Sequence, residues 1–142
     1  MTRVKIDLPQ TWLFSVDLPV RITDINYGNH LGNDALVGLL QEARVRWLNQ
    51  FGWTELIEGA IGLIQIDLAV RFKSEAKFGD MLTICLQIEN SSTRGFDLMY
   101  LVKKSATGEA VAHARSGFLF FDYDAGKRTR APAVFQEKVM DA

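Results

Sequence analysis

Cysteine is almost missing from this chain: one residue in 142, Cys85. That excludes an internal disulfide framework and any cysteine-rich metal site. Set in the apolar run 81–88, Cys85 reads as a small buried hydrophobe. Proline is scarce as well, with three in all. Within the patterned segments only Pro19 occurs, where it marks an edge strand or a bulge. No stretch approaches the roughly 18 apolar residues that span a bilayer. Neither sign of charge prevails, since 16 basic and 17 acidic residues leave a net −1. Bulk attraction to nucleic acid or to a membrane surface is therefore excluded. The N-terminus alternates charged and apolar residues and holds no leader-like apolar core. Repeats, low-complexity segments, linkers and Walker-type or dinucleotide-binding glycine patterns are all lacking. The expectation is one cytoplasmic domain over residues 1–142, without a cofactor.

What is present is ordinary for a globular chain: 48% hydrophobic and 23% charged residues, enough length to bury a core unaided. Residues 13–23 alternate as a strand does, with Phe14, Val16 and Leu18 opposed to Ser15, Asp17 and Pro19. The run Tyr27-Gly-Asn-His-Leu-Gly-Asn33 is rich in turn formers. Residues 34–51 predict the clearest helix. Leu36, Leu40, Ala43 and Trp47 recur at helical spacing, while Val37, Leu39 and Leu48 widen the apolar surface until the helix reads as buried all round. Asn33 is the expected N-cap and Gly52 the expected stop.

The remainder predicts strands. Residues 61–73 place Ile64, Ile66, Leu68, Val70 and Phe72 on one face. Further strands are expected at 81–89, 96–104 and 110–123, with turns at 78–80, 90–95, 105–108 and 124–126, then a short polar tail. A strand, a long helix and four strands joined by tight turns imply an antiparallel sheet of about five strands with the helix on one face, an α+β class.

Arg21-Ile-Thr-Asp24-Ile-Asn26-Tyr-Gly-Asn-His30-Leu-Gly-Asn33, followed by Gln41-Glu42-Ala43-Arg44, resembles the 4-hydroxybenzoyl-CoA thioesterase-like family. That family often carries Arg-x-x-Asp-x-Asp, Gly-His-x-Asn-Asn and Glu-Ala-Arg in this order. Phe72-Lys-Ser-Glu-Ala-Lys-Phe-Gly-Asp80 resembles its Tyr-x-x-Pro-x-x-x-Gly-Asp stretch. The likeness covers residues 13–125 and implies a hotdog fold, in which the sheet wraps around the helix, and hydrolysis of an acyl-CoA thioester. Three departures stand out. Asn26 occupies the place of the family's catalytic aspartate, and an amide can neither take a proton nor attack as a carboxylate does. Glu75 stands where the family commonly has proline. Gly32 replaces the first asparagine of the turn.

Thioester hydrolysis needs a polarised carbonyl and an attacking oxygen. Backbone N–H groups at a helix N-terminus meet the first need, and the amides near Gly32 or Asn33 are the candidates. For the second, Asp34, Gly38 and Glu42 share one helical face at i, i+4 and i+8. Either carboxylate could act as base or nucleophile; equally, Asp34 could complement the helix dipole and Glu42 could pair with Arg46. Gly38 clears room for a ligand or for a closely packed backbone. Asp24 is a further acid or a turn acceptor. His30 is expected to orient the thioester or a water, Asn26 to hold a water or the carbonyl, and Tyr27 to touch substrate. His113 reads as a core or interface residue, and two distant histidines make no metal site.

Basic residues that could meet carrier phosphates form two groups, Lys127, Arg128 and Arg130, and Arg71, Lys73 and Lys77. Leu36, Leu39, Leu40 and Phe72 are acyl-pocket candidates or plain core. The expected partners are an acyl-CoA or acyl-carrier thioester and a second copy of the chain, in a dimer or tetramer, with residues 65–73 at the interface. Alternatives are a non-catalytic acyl-binding module, a hotdog dehydratase or hydratase, and a structural oligomer.

Overall fold

The computed structural model describes residues 1–142. Its strands are β1 (Phe14–Pro19), β2 (Leu56–Glu58), β3 (Ile61–Phe72), β4 (Met81–Glu89), β5 (Gly95–Lys104), β6 (Ala110–Asp122) and β7 (Lys127–Arg128). They form one seven-stranded sheet in the order β1-β4-β5-β6-β3-β2, with β7 added to β6. Every pairing is antiparallel. The expected set of about five is extended by β2 and β7, each too short to leave a period in the sequence. β1 borders only β4, and its Pro19 sits at the edge, where a missing N–H costs no ladder bond.

One helix, α1 (Asn33–Asn49), lies against this sheet. Its 17 residues span about 25 Å at 1.5 Å per residue. Leu36, Leu39, Leu40, Ala43, Trp47 and Leu48 face the sheet and are buried. The expectation of burial all round holds for that side alone: Asp34, Val37, Gly38, Gln41 and Asn49 are exposed. The N-cap is Gly32 rather than Asn33, because Gly32 keeps extended dihedrals while Asn33 is already helical. At the other end Gly52 adopts φ +79. Its N–H donates to the Asn49 carbonyl and that of Trp53 to the Leu48 carbonyl, the paired bonds of a glycine-terminated helix.

The strand positions are borne out, but the single apolar face expected of β3 is not: Leu63 rather than Ile64 is buried, and Phe72 is exposed. In β3 the register shifts between Gln65 and Asp67, which places Ile66 at a bulge where it is exposed. Leu68 and Val70 beyond it pack against the core as expected. Cys85 is buried and unpaired, as read from its surroundings, and burial pushes its thiol pKa up.

The polar tail is corrected. Residues Ala133–Phe135 and Gln136–Met140 are helical, and Phe135 is fully buried. Its ring stacks on Phe96 at 5.4 Å and Trp53 at 5.6 Å, and meets Phe120 edge-on at 5.0 Å. No helix is long and apolar enough to cross a membrane.

Candidate active site

Between β1 and α1 the chain makes a 3-10 turn (Ile22–Asp24) and then a compact loop. Asp24 is buried inside that turn. Its carboxylate accepts the Arg21 N–H at 2.8 Å and the guanidinium at 3.2 and 3.3 Å. Burial alone would raise its pKa, but these bonds and the Arg21 charge outweigh it and hold the carboxyl below its ordinary value. Asp24 is thus an ionised turn acceptor with its bonding capacity committed.

Asn26 closes the next turn. Its side-chain oxygen accepts the Gly28 N–H at 2.9 Å and approaches the His30 N–H at 3.5 Å. Asn29 takes φ 63, a left-handed value that asparagine tolerates well. The loop packs tightly around Gly28: a Cβ there would stand 2.8 Å from His30 Nε2 and 3.4 Å from Asn26 Oδ1. Asn26 and His30 therefore converge on one point. Tyr27 projects fully into solvent.

The Gly32 N–H donates to the Asp24 carbonyl at 2.9 Å, so it is not available to a ligand. Leu36 is the first residue whose N–H is satisfied within the helix, by the Gly32 carbonyl. The N–H groups of Asn33, Asp34 and Ala35 make no hydrogen bond within the chain, as expected for a first turn. Asp34 folds back over Gly32, its Oδ1 2.8 Å from where a Gly32 Cβ would stand. The same position lies 3.6 Å from the Asn26 Cβ. Asn26, Gly32 and Asp34 are thereby one cluster.

A cleft of about 240 Å³ opens beside this helix start. His30, Leu31, Asn33 and Leu36 form one wall, and residues 72–76 with Val111 form the other. Apolar Leu31, Leu36, Ala76 and Val111 line it, while His30, Asn33, Lys73, Ser74 and Glu75 supply polar groups. His30 Nε2 stands 3.5 Å from Glu75 Oε1. Ser74 donates to the Ala110 carbonyl at 2.7 Å, and the Leu31 N–H donates to the Ala76 carbonyl at 2.7 Å. The loop bearing Glu75 is thus tied on both sides of that residue.

Of the residues read as catalytic or substrate-binding, His30 and Asn33 line the cleft, and Asn26, Gly32 and Asp34 adjoin them. Glu42 does not reach it; Arg46 holds its carboxylate at 2.7 Å. Gly38 is exposed, and a Cβ at that residue would meet nothing within 4 Å, so no backbone of this chain packs closely there. Leu36 and Phe72 line the cleft, whereas Leu39 and Leu40 are core. His113 is half-buried on β6 opposite Arg71; burial, then the charges of Lys73 and Arg71, lower its pKa.

Two features escape a reading of the sequence. Glu75 is visible there only as an odd residue at a proline position, with nothing to pair it with His30. Arg44 is almost wholly buried in the helix, bonded to Glu55 at 2.7 Å and lying over the Phe118 ring at 4.8 Å. Its place in Glu42-Ala43-Arg44 is the one signal for it.

The sequence profile of the Thioesterase-like superfamily matches residues 20–139. The chain belongs to this superfamily. Membership bears out the resemblance to a thioesterase family and the expected hotdog fold. Among solved structures it resembles a 1,4-dihydroxy-2-naphthoyl-CoA thioesterase from Synechocystis, at 20% identity and TM-score 0.82, over 90% of this chain and 96% of that one. It also resembles a gentisyl-coenzyme A thioesterase, at 18% identity and TM-score 0.77, over 87% of this chain and 99% of that one. In sequence it is 25% identical over 125 residues to an L-carnitine dehydrogenase/betainyl-CoA thioesterase of Rhizobium meliloti. That match covers 87% of this chain, which spans only 25% of the relative's length.

Proposed function

We propose that this protein hydrolyses an acyl-CoA thioester in the cleft at the N-terminus of α1. The observation that carries the reading is the set of unbonded N–H groups at Asn33, Asp34 and Ala35, with Asn33 lining the cleft. Donors fixed in a first helical turn stabilise an oxyanion without reorganising, and the helix dipole adds to them. A carboxylate at the cleft activates water, and His30 orients it. The apolar wall of Leu31, Leu36, Ala76 and Val111 receives the acyl group.

CoA is favoured as the carrier by unpaired cations. Arg3, Val4 and Val70 through Lys73 border an open depression that shares Phe72 and Lys73 with the cleft. Neither Arg3, Arg71 nor Lys73 takes part in an ion pair. The substrates in the names of the three relatives above are all CoA thioesters, which agrees with this reading. The single unpaired thiol of Cys85 fits a reducing cytoplasm.

The working unit is a homo-oligomer. β2 pairs with β3 only at Ile61 and Gly62, so from Ile64 to Phe72 the outer edge of β3 has no strand partner in this chain. An unpaired edge of that length invites another strand, and a second β3 related by a two-fold axis would join the sheets.

The test is release of free thiol from a panel of aliphatic and aromatic acyl-CoAs, with molecular mass by light scattering. Turnover above the uncatalysed rate by a dimer or tetramer is the expected result. A chain that binds acyl-CoA without hydrolysing it is instead a binding module, the reading that the amide at Asn26 favours. A fully active monomer rules out the oligomeric part.

A further inference from the structure

The residues lining the cleft include one acid, Glu75. Each other acid near the helix start is engaged or displaced. Asp24 is bound by Arg21, Glu42 by Arg46, and Asp34 lies over Gly32, outside the lining. Asn26 presents an amide, whose oxygen already accepts the Gly28 N–H.

We propose that Glu75 is the general base of this thioesterase, with His30 beside it across the cleft mouth; the proposal rests on the hydrolase reading above. Its side chain makes no hydrogen bond in the chain, and the one group set beside it is His30 Nε2 at 3.5 Å. It is 66% exposed, which leaves space for a water between carboxylate and substrate. The anchors at Ser74 and Ala76 fix the backbone on either side of Glu75, so its side chain leaves the main chain at a set point. Asn33, whose N–H is free, lies on the opposite wall.

This arrangement supplies all parts of a hydrolysis. The Glu75 carboxylate takes a proton from water as the water oxygen bonds to the thioester carbon. The carbonyl π pair moves onto oxygen, where the Asn33 N–H meets the charge. Collapse re-forms the C=O bond and breaks C–S. The departing thiolate takes the proton from the Glu75 carboxylic acid, leaving a free acid product, a free thiol and the carboxylate restored.

The decisive comparison is wild type, Glu75→Gln and the double variant Glu75→Gln with Asn26→Asp, on the acyl-CoA that the wild type hydrolyses fastest. Folding of each is checked by circular dichroism. Loss of a positioned base is expected to lower kcat by about 10²–10⁴ with little change in KM. Asn26 Oδ1 and His30 Nε2 both lie near the space over Gly28, so a carboxylate at residue 26 sits beside the same histidine. Asp is isosteric with Asn and keeps the Gly28 bond, and the double variant is expected to regain activity. A folded Glu75→Gln protein with unchanged kcat overturns the proposal and leaves the hydrolase reading standing. Loss of kcat in Asp34→Asn but not in Glu75→Gln also overturns it, by moving the base into the helix. A wild type inactive on every thioester removes the hydrolase reading and this proposal together.

Discussion

Arg44 on α1 and Glu55 in the loop that follows the helix are joined by two short contacts, Nη2 to Oε1 at 2.7 Å and Nε to Oε1 at 2.8 Å. The two partners are unequal: the Arg44 side chain is 8% exposed and that of Glu55 38%. Arg44 also reaches Tyr100 Oη at 3.4 Å, and Tyr100 bonds Ser116 at 2.6 Å.

That inequality predicts an asymmetric mutational response. Glu55→Ala strands a buried guanidinium, and the expected loss is about 2–3 kcal/mol, below the full cost of a wholly buried pair because Glu55 is part-solvated. Arg44→Met keeps the volume and lets Glu55 turn to water, so its cost is expected to be about 1 kcal/mol or less. Urea unfolding of both variants measures the difference. Equal losses would show that the pair itself, rather than the buried charge, governs stability.

Phe135 predicts that the C-terminal segment is structural. Its ring fills the space between Trp53, Phe96 and Phe120. Phe135→Ala should cost about 3–5 kcal/mol through lost burial and a residual cavity. The check is the urea midpoint, with an unchanged slope showing that the unfolding remains one transition.

Acid sensitivity follows from Asp24 and Asp67. Arg21 holds the first below its ordinary pKa against the opposing effect of burial. The hydrogen bond from Arg115 holds the second down, against a smaller effect of burial. A carboxyl titrating lower in the folded than in the unfolded chain adds stability that is complete above the unfolded value of about 3.9 and vanishes as pH falls through the folded value. The thermal midpoint should therefore drop steeply below about pH 4. In Asp24→Asn the midpoint should be lower near neutrality, by about 1–3 kcal/mol of stability, with a shallower acid decline. Parallel curves for both proteins would show that Asp24 does not contribute to the acid limb.

The cations beside the cleft predict a carrier effect. Arg3→Ala with Arg71→Ala is expected to raise KM for an acyl-CoA about tenfold, or about 1.4 kcal/mol. KM for the matching acyl-pantetheine, which lacks the nucleotide phosphates, should not change. Steady-state kinetics on the two substrates make the comparison. Equal effects on both would assign these arginines to something other than phosphate recognition.

Much of this fold is legible in the chain because periodicity is a local property. The strand Met81–Glu89 appears with the bounds that its apolar run and the flanking turns predict. The buried side of α1 follows from Leu36, Leu40, Ala43 and Trp47, whose spacing places them together whatever they pack against. The Tyr27-to-Asn33 turn is visible from its glycines and asparagines, and the helix start that it leads into supplies the free N–H groups.

What the sequence could not decide is which distant groups meet. Asn33 loses the N-cap to Gly32 because the Gly32 N–H is drawn to the Asp24 carbonyl, a contact set by the preceding turn. The bulge that exposes Ile66 depends on the pairing of β3 with β6. Phe135 is buried because three aromatic rings from other elements leave a space of its shape, which the short segment around it does not announce. His30 and Glu75 face each other because the Leu31 N–H bonds the Ala76 carbonyl, drawing the end of the loop before α1 onto the middle of the loop between β3 and β4. Local spacing determines helices, strands and turns; long-range packing and backbone pairing decide which side chains share a cleft. Those choices belong to the tertiary structure because their energy comes from surfaces far apart in the chain.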